Sequence, residues 1–132
     1  MQRHLTEVEA RGAQLVAVAQ GTAAEADRFC HGLGVTYPCV GDRERASYGA
    51  FALPRGGWKE ILVDPLFSRD GLKRLGGASI RGSLAPHSDW FQLPGVAIVD
   101  RAGTVRWLHR SRHSADIPPA AAVLAALDAV VA

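Results

Sequence analysis

Cysteine is scarce. The 132-residue chain holds two, Cys30 and Cys39, too few for a disulfide-dense secreted scaffold. A single domain of this length buries a core without such staples, so both cysteines are free thiols by default. Long apolar runs are lacking as well. None approaches the ~20 residues that a membrane-spanning helix needs, and the opening stretch MQRHLTEVEARG has no apolar signal-peptide core. A cytoplasmic location with no membrane partner is therefore expected. Neither sign of charge dominates: 15 Lys+Arg against 13 Asp+Glu leave a net charge of +2, which excludes a global pull toward nucleic acid. Low-complexity tracts, internal repeats, phosphate-binding glycine loops and hydrolase elbows are absent too.

What charge there is lies unevenly. Residues 1–53 carry five Arg against six Asp/Glu, a balance of −1, whereas residues 69–112 carry eight Lys/Arg against three Asp, a balance of +5. A solvated Arg-rich surface is the favoured explanation, and an anion or partner site the alternative.

Residues 2–11 place Leu5 and Val8 among polar neighbours, the pattern of the last turns of an amphipathic helix, with no start signal of its own. AQLVAVA (13–19), bounded by Gly12 and Gly21, predicts a strand buried on both faces. Thr22 with Glu25 three residues on makes a capping box. The helix it opens sets Ala26, Phe29, Cys30 and Leu33 on one face and stops at Gly34. TYPCV (36–40) predicts a short strand, and Asp42 caps a second helix through Leu53 that buries Ala46, Tyr48, Phe51 and Ala52 in some combination. Strand, helix, strand, helix is the rhythm of a parallel α/β sheet.

Residues 54–91 are less regular. WKEILVD (58–64) suggests a strand, Ser68 or Asp70 a cap for a short helix across GLKRLG, and GGASIRGSLAPHSD a loop. The clearest stretch follows: QLPGVAIVDRAGTV (92–105), an apolar strand ending on Asp100, a turn at Gly103 and a partner strand through TVRWLHR. Asp116 and Pro118 mark a terminal helix whose buried face is Leu124, Leu127 and Val131. Pro94 stands at the mouth of an apparently central strand, where a missing N–H needs a reason.

Three stretches carry a resemblance: LTEVEARGAQLVAVAQGTAAEADRF, GVTYPCVGDRERASYGAFAL and DWFQLPGVAIVDRAGTVRWLHRSRHSADIPPAAAVLAAL. In order and spacing the chain resembles the peroxiredoxin-like branch of the alkyl hydroperoxide reductase/thiol-specific antioxidant family, within the thioredoxin-like superfamily. The resemblance implies an α/β fold, a thioredoxin-like sheet flanked by helices, in one domain over residues 1–132. It implies thiol-based antioxidant chemistry, the reduction of peroxides or disulfides by an attacking thiolate. The partners it implies are a thiol reductant and a peroxide or disulfide substrate, with a homodimer admitted and no cofactor. Pro94 would be the cis-proline of the substrate-facing loop, its backbone turned to a substrate thiol rather than to a strand.

Two departures qualify the likeness. Family members open with a strand and a cysteine motif, often Cys-x-x-Cys, before the helix in which Met1 stands here, so no residue of this chain matches the peroxidatic cysteine. The family's Arg before the hairpin strand is replaced by LPG (93–95). The absent first strand would lie at the centre of the sheet, between residues 13–19 and 95–100. A truncated chain, a substitute strand such as 58–64, or pairing across a dimer would each resolve this. The first is favoured, so the reading frame is expected to continue upstream and encode a strand and one or two cysteines. The chain as given is then an inactive part of an oxidoreductase. A non-catalytic interaction module using the edge around Pro94 is the alternative.

The remaining candidates are weaker. Cys30, beside Phe29 on the apolar helix face, reads as a packed small residue. Cys39, after Pro38 and at a strand's C-terminal end, is the better redox thiol of the two, although as a redox pair they lack any local feature that would lower a thiol pKa. His109 and His113 are spaced i, i+4 where a strand meets a loop, and His87 and Asp89 share a loop without a third ligand, so no metal site is expected. RWLHRSRH (106–113) interleaves Trp107 with Arg and His. Strand alternation accounts for this more simply than single-stranded nucleic acid does.

Overall fold

The computed structural model describes residues 1–57, 89 and 91–132. A 3-10 turn, Gln2–His4, runs into α1 (Leu5–Glu9), and then follow β1 (Ala17–Gln20), α2 (Ala23–Gly32), β2 (Cys39–Asp42) and α3 (Ala46–Ala50). After residues 58–88 come β3 (Gly95–Val99), β4 (Val105–Arg110) and α4 (Ala120–Val131). The expected strand at 58–64, the helix across 71–76, the loop from 76 and His87 lie outside the described residues.

Among the described residues the strands form two separate pairs. β1 and β2 run parallel, with Ala17 opposite Cys39 and Gln20 opposite Asp42. Their crossover is α2, and its start is the expected capping box. The Thr22 hydroxyl accepts from the Glu25 N–H at 3.3 Å, and the Glu25 carboxylate accepts from the Thr22 N–H at 2.7 Å. At the other end Gly34 turns left-handed, φ +68°. There the Val35 N–H reaches back to the Cys30 carbonyl at 3.0 Å and the Gly34 N–H to that of His31, closing the helix as a glycine C′ residue does. Glycine is also required at 41. A Cβ there would lie 2.5 Å from the carbonyl carbon of Thr22, so β2 passes directly beneath the start of α2.

β3 and β4 form the antiparallel hairpin that QLPGVAIVDRAGTV predicts. Asp100 builds its turn: one carboxylate oxygen accepts from the N–H groups of Ala102 and Thr104, each at 2.9 Å. Gly103 supplies the positive φ, +82°. The main core lies here, with Val8 of α1, Ile98 of β3 and Leu124 and Leu127 of α4 in one buried cluster. Met1, Leu15 and Trp107 pack around it.

Several sequence expectations are corrected. The strand predicted at 13–19 is shorter and is not buried on both faces: Val16 is 50% exposed and Val18 43%, because α2 covers only one side of the β1–β2 pair. Phe29 and Leu33 are exposed while Ala26 and Cys30 are buried, so the buried stripe of α2 is narrower than its apolar content. The helix after Asp42 ends at Ala50, and none of Ala46, Tyr48, Phe51 and Ala52 is fully buried. α4 buries Val123 with Leu124 and Leu127, whereas Val131 stands 53% exposed. β4 does not alternate; Trp107, Leu108 and His109 are all half-buried.

Candidate functional site

The parallel pair has two chemically distinct ends. At its C-terminal end Asp42 closes β2 and turns its carboxylate onto the start of α3, accepting from the N–H groups of Ala46 at 3.0 Å and Ser47 at 2.8 Å and from the Ser47 hydroxyl. That hydroxyl, and then the backbone donors, hold the Asp42 carboxyl below its ordinary range. Burial pushes the nearby Tyr48 phenol up, and the charge on Asp42 adds to the effect.

Beside them lies Asp89, whose side chain is only 11% exposed. One of its oxygens meets Arg45 at 2.6 Å and Arg55 at 2.8 Å. Its backbone N–H donates to Gln20 at 2.6 Å, and its carbonyl accepts from the same side chain. Asp89 thus joins the end of β1 through its backbone and the start of α3 and residue 55 through its carboxylate, with two guanidinium groups against a single negative charge. Arg45 occupies the left-handed region, φ 55°, a conformation unfavourable for a side chain of this kind. The role of Asp89 was not readable from its loop: its partners stand 34, 44 and 69 residues away, and the only signal was an acid placed in an Arg-rich segment.

The N-terminal end of the pair carries the cysteines. Cys39 is the first residue of β2, not near its C-terminal end as TYPCV suggests, because the strand starts later than expected and runs on to Asp42. Cys30 lies in the last turns of α2. The two form a disulfide with Cα atoms 6.5 Å apart, which overturns the expectation of two free thiols. Nine residues separate them in sequence, but the α2–β2 turn brings helix and strand face to face. Both cysteines line an open cleft of about 590 Å³, together with Arg28, His31, Tyr37 and Pro38. Cys30 is buried at 5% exposure, and Cys39 is half-buried.

Pro94 is placed elsewhere, and none of its loop borders that cleft. No described peptide bond is cis, so the expected cis bond at Leu93–Pro94 is corrected to trans. Local bonding accounts for this proline. The Pro94 carbonyl accepts from the Ser111 N–H at 3.1 Å, extending the hairpin by one bond, and the Leu93 N–H donates to Pro54. The bulky neighbour Leu93 is itself 1% exposed. Proline therefore sits just outside the first strand residue, where no ladder N–H is required of it.

His109 meets Asp116 through both its carbonyl, at 3.2 Å, and its carboxylate, at 3.4 Å. Burial alone would raise the Asp116 carboxyl. The Arg112 N–H and guanidinium, with His109, outweigh that and hold it below its ordinary value. Asp116 is thus committed to the end of β4 and does not cap α4, whose cap position is Pro119. No cluster of three or more potential metal ligands occurs among the described residues, and no helix among them is long and apolar enough to cross a membrane.

A family model for the AhpC/TSA antioxidant enzymes matches residues 1–113. The chain belongs to that family. Neither the curated proteins nor the solved structures give a match. Membership supports a thiol-antioxidant, oxidoreductase-type domain in the thioredoxin-like superfamily, and the mixed helices and small sheets agree with an α/β fold of that kind. The family match spans α1 to the end of β4, and with them both ends of the parallel pair. α4 lies beyond it.

Proposed function

We propose that this chain is the larger part of a cytoplasmic, peroxiredoxin-like oxidoreductase that reduces peroxides or disulfides with an attacking thiolate. The family match over residues 1–113 carries the reading. The sheet supports it in a second way. A groove of about 680 Å³ separates residues 12–15 from β3, floored by Val8, Val123 and Leu127. No ladder crosses it among the described residues. We propose that one more strand completes the sheet in this groove and carries the attacking cysteine. The apolar floor and the edge of β3, which has no second partner among the described residues, together suit a backbone that brings its own N–H and C=O groups.

Cys30 and Cys39 are not assigned as that nucleophile, because they are paired with each other and neither lines the groove. The chain as given is then expected to consume hydrogen peroxide no faster than a no-protein control containing the same thiol reductant. A form that carries a strand and a cysteine motif of the family's kind ahead of α1 is expected to consume it at least ~100-fold faster, the order of gain a positioned nucleophile and base provide. Peroxide turnover by the chain as given, lost in Cys39→Ser, would overturn the assignment of the nucleophile. An extended form that contains a cysteine and yet turns over neither peroxide nor a disulfide substrate would overturn the enzymatic reading and leave the non-catalytic module.

A further inference from the structure

We infer that the Cys30–Cys39 disulfide is a second redox centre, exchanging with small dithiols in the cleft between α2 and β2. It stands apart from the peroxide chemistry proposed above, since it needs no other cysteine and neither Cys30 nor Cys39 lines the groove proposed for the added strand. Three observations carry it. Both residues of the pair line an open cleft. The two residues are unequally exposed, with Cys30 buried and Cys39 half-buried, which favours attack by an incoming thiolate at Cys39. The cross-link is also redundant to the local fold. The arm after Cys30 is held by the bonds from Gly34 and Val35 to the helix end. The arm before Cys39 is held by the Ala17 N–H to the Pro38 carbonyl at 2.9 Å, and Gln2 brackets Thr36 between them through two hydrogen bonds. A bond that the surrounding backbone does not need is free to open without unfolding the molecule.

In the forward step a thiolate of the dithiol attacks Cys39 Sγ. A mixed disulfide to Cys39 forms, the Sγ–Sγ bond breaks, and Cys30 leaves as a thiolate and takes a proton from water. The second thiolate of the same molecule then attacks its own bonded sulfur. This releases the Cys39 thiolate, which is protonated, and a cyclic disulfide product. Two electrons and two protons have passed from the dithiol to the cysteine pair, and the reverse step runs on a disulfide. Access and the choice of sulfur govern the rate of such exchange. Exposed Arg28 beside the cleft favours the thiolate forms there, with Asp27 opposing it.

Dithiothreitol is the probe, and the test is its rate of reducing the oxidised chain across sub-denaturing urea, read by thiol labelling and mass. Exchange in the native cleft predicts a rate that changes by less than about twofold with urea, with circular dichroism unchanged after reduction. A structural staple opens only on unfolding, so its rate would rise exponentially with urea, parallel to the unfolding equilibrium. That result would overturn the inference. Single-cysteine variants locate the entry sulfur. Cys39 in Cys30→Ser is expected to form a mixed disulfide with glutathione disulfide at least tenfold faster than Cys30 in Cys39→Ser. Equal or reversed rates would overturn the assignment of Cys39. A chain that keeps two free thiols after prolonged exposure to glutathione disulfide would overturn the proposal altogether.

Discussion

β1 and β3 look alike in sequence and meet different fates. Each is a run of valine, alanine and their like, LVAVAQ and GVAIV. Yet Val16, just before β1, and Val18 within it are half exposed, and β1 buries no residue. β3 buries Ile98, 9% exposed, in the main core, although Val99 at its end is 46% exposed. The difference lies in what covers them. β3 is packed by α1 from one end of the chain and α4 from the other, so residues more than a hundred positions apart in sequence close over it. Among the described residues β1 has α2 on one face alone, and α2 contributes little more than Ala26 and Cys30. An apolar run shows that burial is available; a second layer makes it happen. The same contrast separates kinds of glue. The hairpin half is held mainly by hydrophobic contact, the parallel half by caps, a close glycine approach and a carboxylate with two arginines.

The widest test of the comparison is one truncation in each half. Leu127→Ala removes a side chain that packs with Val8, Ile98 and Leu124, and a loss of about 2–4 kcal/mol is expected from transfer and cavity terms together. Val18→Ala, on the open face of β1, should cost no more than about 0.5 kcal/mol, since little buried area is given up. Urea denaturation of both variants measures it. Comparable losses at the two sites would mean that β1 is as well covered as β3.

Gly41→Ala comes next and asks whether the parallel half depends on close backbone approach. The new Cβ would meet the backbone of Thr22 and Ala23 at 2.5–2.6 Å. Backbone cannot step aside as a side-chain tip does, so β2 must shift from the head of α2 at a cost of about 1–3 kcal/mol. Gly49→Ala, where nothing lies within 4 Å, is the control and should be neutral or slightly stabilising because it sits within a helix. A neutral Gly41→Ala would show that α2 does not ride directly on β2.

These contrasts also mark what the sequence made legible. Local chemistry was readable: the Thr22–Glu25 box, the Gly34 stop, the Asp42 cap and the Asp100–Gly103 turn are each set by residues within a few positions of one another. What depended on distant partners was not. The narrow buried stripe of α2, the exposure of Val131 and the three-way role of Asp89 follow from which elements lie opposite, and periodicity is blind to that. At the candidate site the family was legible from the order of its pieces. The disulfide was not, because a helix residue and a strand residue nine apart have no local reason to meet until the α2–β2 turn folds them together. Pro94 misled for the opposite reason: a true structural position, just outside the first strand residue, carried a family expectation of a cis bond.

Thr22→Ala, a smaller effect, removes one half of the capping box and should cost about 1 kcal/mol. Restoration by Thr22→Asp, whose carboxylate accepts the same N–H, would tie that loss to the cap rather than to packing. Equal destabilisation by both substitutions would point to packing.

The smallest expected effect is a pH dependence assigned to Asp42, and it sharpens the idea that polar contacts hold the parallel half. Its carboxylate accepts from the Ser47 hydroxyl and from the N–H groups of Ser47 and Ala46, and these donors lower its pKa in the folded state. A carboxyl that binds its proton less readily when folded than when unfolded adds stability wherever it is ionised in both states. That contribution is fully present above the unfolded value, about 3.9, and is lost as pH falls through the lower folded value. Asp42→Asn keeps one acceptor oxygen but no charge. The stability difference between the chain and this variant should therefore be constant from neutral pH down to about 5, then shrink steadily in acid. Asp116 and Asp128, whose carboxyls are also held low, titrate equally in both proteins and cancel from that difference. Thermal unfolding followed by circular dichroism between pH 7 and pH 2.5 measures it. A difference that persists undiminished at the acid end would mean that Asp42 acts by shape rather than by charge.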